Sequence, residues 1–279
     1  LKNQMKDALS AAATGAAGIL KVIRGHSELK AFNAGQAAAT GLTAVLMSQA
    51  GFCGPDDVLG GKEGFLSILA DTFDSALLLS RRNDLWGIER IYVKPYAACR
   101  HCHAPVEAAL SIRSRESFLI DEVAKVDVKT HRWAVYLHDH TEIEGLLAAK
   151  MSIPYSVAVA LETGRAGLAE FVPERVREPG TLQLTKKVHV EASDELTSLV
   201  PDKRAAIVEV TLYDGCRFVE RVDVPKGEPE NPLHDDELEE KSAKLLCLAG
   251  KTQKEASKII ESVWNVETEI KSLYSRINA

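Results

Sequence analysis

The sequence has no long apolar run, no secretion signal and no concentrated basic stretch, and each absence excludes a class of protein. No segment approaches the roughly 18 consecutive apolar residues of a membrane span, and the first twenty residues lack the basic, apolar and cleavage regions of a signal peptide. The formal net charge is -6 with scattered Lys and Arg, whereas nucleic-acid binding needs a concentrated basic face. We therefore predict a cytoplasmic protein with no membrane and no nucleic acid among its main partners.

Cysteine is also scarce, with five residues in odd number and scattered along the chain. This distribution is typical of reduced thiols and argues against a disulfide framework. Two of the five lie in 99-CRHCH-103, which has the form of a covalent c-type haem attachment site. A haem site needs an exported protein, and a zinc site needs further ligands at suitable spacing, which the sequence does not supply. We therefore predict no metal, and the motif needs another explanation.

The remaining composition is that of a globular chain able to bury a large core, with 46% hydrophobic and 27% charged residues over 279 positions. Helical patterns dominate the first part and include a helix rich in small residues from about Gly35. A short extended stretch ends at Pro95. The predicted helices of this part cover 4–19, 34–51, a short stretch within 54–69, and 104–115.

The pattern changes after about Ser117, where four segments alternate polar and apolar residues as half-buried strands do. These predicted strands cover 122–130, 186–192, 205–215 and 217–225, with helices at 142–150 and 154–163 between the first two. A hairpin is expected around Asp214-Gly215, a linker at 226–232, and helices again from 234. We predict a multi-domain α and α+β fold, in which an all-helical domain (1–116 and 226–279) carries an inserted α+β lid domain (117–225).

Four stretches, in the same order across almost the whole chain, resemble the MmgE/PrpD family of 2-methylcitrate dehydratases, cis-aconitate decarboxylases and iminodisuccinate epimerases. They are 30-KAFNAGQAAATGLTAVLMSQAGFCGPDDVLGGKEGF-65, 94-KPYAACRHCHAPVEAAL-110, 149-AKMSIPYSVAVALETG-164 and 226-KGEPENPL-233. Four ordered matches are far more specific than any single one. In this resemblance Cys99 and His103 stand at family positions and Cys102 is a chance neighbour, which explains the haem-like motif.

The resemblance implies bond changes next to a carboxylate in small di- or tricarboxylates, without a metal or organic cofactor. We predict a lyase that dehydrates or decarboxylates a 2-methylcitrate-like or aconitate-like acid. One alternative is an isomerase that epimerises an iminodisuccinate-like acid, which would need two opposed bases. Another is an inactive fragment or structural subunit that needs a second chain.

Family members are considerably longer, and this chain opens on Leu1 within alanine-rich helical sequence. The resemblance places that start near the middle of the family's helical domain. We therefore expect either a piece of a longer protein or a second polypeptide that supplies the N-terminal half. A homodimer is the expected assembly.

Two lysines stand at family positions and suit this chemistry. Removing a proton next to a carboxylate needs a base, and the substrate's negative charges need fixed cations. Lys94, beside Pro95 at the end of the extended stretch, is the predicted base or carboxylate clamp. Lys30, just ahead of the small-residue helix, is predicted to bind an anion that is also attracted by the positive end of the helix dipole at the N-terminus.

Four further side chains complete the predicted site, and each has a structural alternative. His103 is a candidate neutral donor or general acid, or else a core histidine. Arg100 is predicted to bind a carboxylate through two N–H groups of its planar guanidinium, although an arginine beside a helix start also often has a structural role. Tyr155 is predicted to donate to a carboxylate or carry a proton, or else to be a core tyrosine. Ser152 is a weaker candidate for substrate binding, and His101 is expected at the surface.

The predicted catalytic residues are thus Lys94, Lys30, Tyr155 and His103. Because ligand sites favour domain interfaces, we expect Lys30, Lys94 and Tyr155 to converge on one cleft between the helical domain and the lid.

Overall fold

Helices surround one small sheet in the computed structural model, which describes residues 2–19, 22, 29–78 and 86–278. The α-helices in these ranges are α1 Lys2–Thr14, α2 Lys30–Gln49, α3 Phe65–Leu69, α4 His103–Arg115, α5 Arg132–His138, α6 Leu146–Lys150, α7 Ile153–Thr163, α8 Pro179–Thr185, α9 Asp194–Ser198, α10 Asp235–Leu248, α11 Gln253–Trp264 and α12 Val266–Asn278. The strands are β1 Val123–Thr130, β2 Val188–Ala192, β3 Ala206–Leu212 and β4 Arg217–Val222.

Helices α1 and α2 pack against each other, and polar contacts fix their pairing. The Ser48 hydroxyl donates to the Gln4 carbonyl over 2.7 Å. Helix α2 begins at Lys30, so the expected start near Gly35 was wrong. Leu29 precedes the helix and provides no side-chain cap, so the sequence carried no signal for the true start.

The sheet has the strand order β2-β1-β3-β4. Strand β1 is parallel to β2 and antiparallel to β3, and β3 is antiparallel to β4. All four predicted strands are present, because their alternating residues present one apolar face. In β3, for example, alternate residues are buried, including Val208 and Val210 at 0% exposure. Gly215, with φ 89°, turns the predicted β3–β4 hairpin.

The main core lies where α4 and α7 cover this sheet. Val106 and Ile112 of α4 are fully buried in one cluster with Val157 of α7 and with Val126 and Val208 of the sheet. Helix α4 lies on the helical side of the predicted boundary at 117 but shares its core with the strands. The division into a helical domain and a lid stays a prediction.

The segment 226–232, predicted as a linker between β4 and α10, is a turn anchored at several points. The Lys226 amide donates to a Glu107 carboxylate oxygen over 2.6 Å, and the Gly227 amide donates to the Asn231 carbonyl over 2.8 Å. In the other direction, the Val93 amide donates to the Gly227 carbonyl over 2.8 Å. This turn therefore holds the extended stretch that leads into Lys94.

Helices α1 and α2 leave large apolar side chains at the surface. Met5 and Leu42 are both 65% exposed, and Phe32 and Leu46 are also exposed. Within the described ranges, no helix combines the length and apolar character needed to cross a bilayer. Apolar patches of this kind mark contact surfaces in proteins.

Substituting Gly227 should destabilise the chain more than substituting Gly215, although both have positive φ, 92° and 89°. A Cβ at Gly227 would lie 1.9 Å from the Val93 carbonyl oxygen, whereas one at Gly215 meets no atom within 4 Å. We expect Gly215→Ala to lower the free energy of unfolding by about 1–2 kcal/mol, the cost of a left-handed alanine. Gly227→Ala should lower the free energy of unfolding by more than about 3 kcal/mol, because the backbone at Val93 would have to move away from the new Cβ. Urea unfolding measures both, and equal losses would contradict the anchoring role of the turn.

Candidate active site

Lys94 and His103 meet at one backbone carbonyl. The exposed Lys94 ammonium donates to the Ala98 carbonyl over 3.3 Å. The same carbonyl interacts with the His103 ring and opposes the lowering of its pKa, whereas the Lys94 charge contributes to that lowering. The loop 94–103 thus folds back so that two of the predicted catalytic side chains are neighbours.

His103 is a buried, neutral imidazole at the first residue of α4. It is 2% exposed, and burial is the main cause that lowers its pKa to about 4. The Tyr96 ring packs edge-on against it at a centroid distance of 5.3 Å. Its Nε2 has no hydrogen-bond partner within the described part of the chain. A neutral ring with one unused nitrogen suits a hydrogen bond to a substrate better than it suits charge pairing.

The Arg100 guanidinium binds a carboxylate of the chain itself, that of Glu228. Nε donates to Glu228 over 2.7 Å, Nη2 donates to the second oxygen of the same carboxylate, and the guanidinium lies 4.2 Å from the centre of the Tyr92 ring. The Glu228 side chain is only 9% exposed. Substrate binding by Arg100 stays a prediction. In this structure the arginine ties the loop 94–103 to the turn at 226–232.

Lys30 approaches the same region from α2. Its ammonium lies 3.5 Å from Met151 Sδ, just after α6, and its charge helps lower the pKa of His138. The Cys99 amide donates to the Lys150 carbonyl over 2.7 Å, which joins the end of α6 to the Lys94 loop. Both predicted lysines therefore border the segment around residues 99–103.

Tyr155 and Ser152 have structural contacts at the start of α7. Tyr155 is 0% exposed, its hydroxyl donates to the Glu170 carbonyl over 2.9 Å, and burial raises its pKa to about 12. The Ser152 hydroxyl accepts from the Tyr155 amide and donates to the His140 carbonyl, which makes it the N-cap of α7. The convergence of Tyr155 with Lys30 and Lys94 stays a prediction.

A cluster of three histidines, which was not predicted from the sequence, lies beside the loop 94–103. His101, expected at the surface, is half-buried, with Nδ1 3.2 Å from His131 Nε2 and its ring centre 4.9 Å from that of His138. His131 caps α5 and His138 ends it, two helical turns later. That spacing places both rings on one helix face and was a usable signal. Burial lowers the pKa of His101 to about 3 and those of the other two to about 4.

Arg204 was also missed, and it lies next to this cluster. Thr130 of β1 pairs with Ala206 of β3, and its hydroxyl donates to the Ala205 carbonyl over 3.0 Å, so the chain just before Ala205 runs close to His131. The charge of Arg204 helps lower the pKa values of His131 and His101. Burial and the charge of Arg100 lower the pKa of Arg204. Its guanidinium forms no ion pair and no hydrogen bond with any residue that the structure describes.

The two cysteines of the haem-like motif differ in burial. Cys102 is fully buried and burial raises the pKa of its thiol, whereas Cys99 is half-buried. Over the described ranges, no group of three or more His, Cys, Asp or Glu side chains is arranged to hold a metal ion.

Comparison with known proteins gives one family over most of the chain. The family model of the MmgE/PrpD N-terminal domain matches residues 2–77, and that of the MmgE/PrpD C-terminal domain matches residues 96–266. The cis-aconitate decarboxylase of Aspergillus terreus is 24% identical over 254 residues, which cover 85% of this chain and 51% of that protein.

Two mammalian proteins give similar matches. The cis-aconitate decarboxylase of Mus musculus is 24% identical over 79% of this chain and 47% of its own length, and that of Homo sapiens is 25% identical over 77% and 45%. The chain thus spans about half the length of the curated relatives it matches.

Breaking the Arg100–Glu228 pair should destabilise the chain. Glu228→Gln keeps the shape but removes the charge, so it leaves Arg100 with one neutral acceptor in a partly buried place. We expect the free energy of unfolding to fall by about 2–3 kcal/mol. Glu230→Gln, at an exposed position in the same turn, should change it by less than about 0.5 kcal/mol. Similar values for the two variants in urea unfolding would show that the pair contributes little.

The neutral histidines should make stability depend on pH. Each folded-state pKa lies below the ordinary value of 6.5, so protonation favours the unfolded chain. The stabilisation is complete above pH 6.5 and is lost as pH falls towards 4. We expect a loss of at least about 1 kcal/mol between pH 7 and pH 5.

Two variants test this source of pH dependence. His138→Asn can still donate to the Ala134 carbonyl, as the His138 ring does over 3.2 Å, and it should reduce the loss at low pH. His189→Asn, at an exposed position of β2, should leave the loss unchanged. If the slope of unfolding free energy against pH is the same in both variants, another group carries the dependence.

Proposed function

The chain belongs to the MmgE/PrpD family, and from this premise we propose that it forms part of a cofactor-independent lyase acting on a small tricarboxylate. The observation that carries the proposal is the Lys94 ammonium beside the buried, neutral His103 at the Ala98 carbonyl. The relatives named above are cis-aconitate decarboxylases, which supports decarboxylation of a cis-aconitate-like acid.

The charges near this pair support a tricarboxylate as the ligand. Lys30 and Lys94 are exposed, Arg204 is half-buried, and none of the three forms a salt bridge with a residue that the structure describes. Ammonium and guanidinium groups make short, charge-assisted hydrogen bonds to carboxylates. Three cations that form no salt bridge in the described chain match the charge of a substrate with three carboxylates, and the one acidic group that acts on Arg204, Glu228, is paired with Arg100.

Decarboxylation would place specific demands on Lys94. The carbon–carbon bond to one carboxylate breaks, carbon dioxide leaves, and the electron pair stays on the substrate carbon until that carbon takes a proton. An ammonium group stabilises the developing negative charge and can then donate the proton. Because the His103 ring donates to the Ala98 carbonyl, its unpartnered Nε2 can only accept, so it would orient a hydroxyl or a protonated carboxyl group of the substrate. Dehydration or epimerisation would instead require Lys94 to remove a proton.

We further propose that another polypeptide segment, equivalent to the half of the relatives outside this match, covers α1 and α2. The exposed Met5, Phe32, Leu42 and Leu46 support this, since such side chains are usually covered in an assembled protein. A homodimer stays a prediction. Native mass spectrometry would test both, because a heavier chain, a second polypeptide and two equal copies give different masses. A lone monomer of this chain would contradict both.

Lys94→Met should abolish most activity in an assembly that turns over substrate. The variant keeps most of the apolar stem and deletes the charge, so unfolding free energy should change little. Turnover of cis-aconitate should fall by about 10²-fold or more, as expected for a positioned acid–base or electrostatic group. Lys94→Arg should restore some binding but little turnover, because a guanidinium does not exchange its proton near neutral pH. Lys254→Met, on the exposed face of α11, is the matched control.

The measurement is proton NMR of cis-aconitate, 2-methylcitrate and an iminodisuccinate-like acid in deuterated buffer. Loss of carbon dioxide indicates decarboxylation, loss of water indicates dehydration, and exchange of a carbon-bound proton without either indicates epimerisation. Full activity of Lys94→Met would make Lys94 a bystander. An assembly inert towards all three acids would refute the proposed lyase.

A further inference from the structure

We propose that Arg204 and His101 form a carboxylate-binding position beside the Lys94 loop, and that His131 is a positioning residue that fixes the His101 imidazole with its proton on Nε2. The proposal rests on the proposed function only in taking a polycarboxylate as the ligand. It uses two residues that no sequence motif indicated.

The tautomers follow from a chain of hydrogen bonds that starts at the backbone. The Ala134 amide donates to His131 Nδ1 over 3.3 Å, so that nitrogen carries a lone pair. A neutral His131 therefore has its proton on Nε2, which lies 3.2 Å from His101 Nδ1 and donates to it. His101 Nδ1 is then an acceptor, and a neutral His101 carries its own proton on Nε2.

Neutrality of these rings has a physical cause in their surroundings. His131 is 1% exposed and His101 is half-buried, and Arg204 and Arg100 both disfavour a proton on His101. The His101 ring is therefore a neutral, oriented donor at pH 7. Within the described residues, His101 Nε2 has no hydrogen-bond partner of its own.

His138 supplies an independent sign of an unfilled position. Its Nδ1 lies 3.2 Å from the Ala134 carbonyl, which can only accept, so Nδ1 carries the proton and Nε2 is bare. That Nε2 is buried without a partner in the described chain, although the ring centres of His138 and His101 are 4.9 Å apart. Buried polar atoms in proteins nearly always have partners, so this acceptor indicates a missing donor such as water or a ligand hydroxyl. A carboxylate oxygen also only accepts, so it would not bind to this nitrogen itself.

Arg204 supplies the charge at this position. Arg100 is neutralised by Glu228, whereas Arg204 acts on His101, His131 and Arg100 without an ion pair of its own. A half-buried guanidinium whose charge reaches the His101 ring, together with the neutral N–H donor of that ring, suits the two oxygens of one carboxylate. Glu228, as the acidic group that acts on Arg204, weakens this attraction but is held by the neighbouring arginine.

NMR of the chain labelled with ¹⁵N-histidine tests the positioning role first. Long-range proton–nitrogen correlations at pH 7.5, with His101 assigned by His101→Gln, should show an unprotonated Nδ1 and a protonated Nε2. His131→Asn keeps an acceptor for the Ala134 amide and so keeps the cap of α5, but it loses the donor to His101. We expect a mixture of His101 tautomers in this variant. A proton on His101 Nδ1 in the unsubstituted chain, or an unchanged tautomer in His131→Asn, would overturn this role.

Titration with propane-1,2,3-tricarboxylate, which has neither a double bond nor a hydroxyl group to react, tests the binding position. We expect the His101 Nε2 resonance to move, and Arg204→Gln to weaken binding about tenfold or more. Lys203→Gln removes the same charge from the adjacent exposed residue and should change affinity less than about threefold. No movement at millimolar tricarboxylate, equal effects of the two variants, or equally tight binding of inorganic phosphate would each overturn the proposal. Binding of this acid by an assembly that turns over none of cis-aconitate, 2-methylcitrate and the iminodisuccinate-like acid would refute the lyase but not this position.

Discussion

The site depends on the ion pair between Arg100 and Glu228, because this pair joins two segments that are 128 residues apart in the chain. The buried Glu228 carboxylate in the turn at 226–232 binds the Arg100 guanidinium. In the same turn the Gly227 carbonyl accepts a hydrogen bond from the Val93 amide, and the Lys226 amide donates one to the Glu107 carboxylate. Separating such a pair would leave a charge in a poorly solvated place. The loop that carries Lys94 and His103 is therefore fixed at both ends.

Burial keeps the histidines of the site neutral, whereas its lysines and arginines are charged. His101, His103, His131 and His138 are neutral because burial and neighbouring cations disfavour their charged forms. The positive charge of the region therefore comes from lysine and arginine alone. Of the four imidazoles, His101 has its proton on a free nitrogen and can donate to an anion in a fixed direction. The cations provide long-range attraction, so an anion can be both attracted and oriented.

The sequence predicted those parts of the fold that local patterns encode. The four strands and the β3–β4 hairpin follow from alternation and from the glycine turn. The segment 152–155 was predicted as part of the site, and that stays a prediction. Its serine followed by proline near a helix start is also a capping signal, and Ser152 does cap α7. The turn at 226–232 looked like a linker because its Gly, Pro and Asn content is the same whether or not a buried ion pair anchors it. His101 and Arg204 could not be found locally, since their positions depend on how β1, β3 and α5 pack.

Because Lys30 and Lys94 are exposed, they can stabilise the negative charge of a transition state only weakly in this chain alone. Two unit charges 4 Å apart attract by only about 1 kcal/mol in water, and by about 4 kcal/mol at the effective dielectric constant of a protein surface. Stabilising a carbanion-like transition state by the 8 kcal/mol or so that even modest enzymes supply needs cations and donors in a place that excludes water. The histidine cluster and Arg204 are already partly screened from solvent, whereas the lysines are at the surface. The apolar surface of α1 and α2 lies on the part of the chain that carries Lys30. Polypeptide packed on that surface would therefore be placed to cover the Lys30 side of the site, and the proposed chemistry requires such a cover.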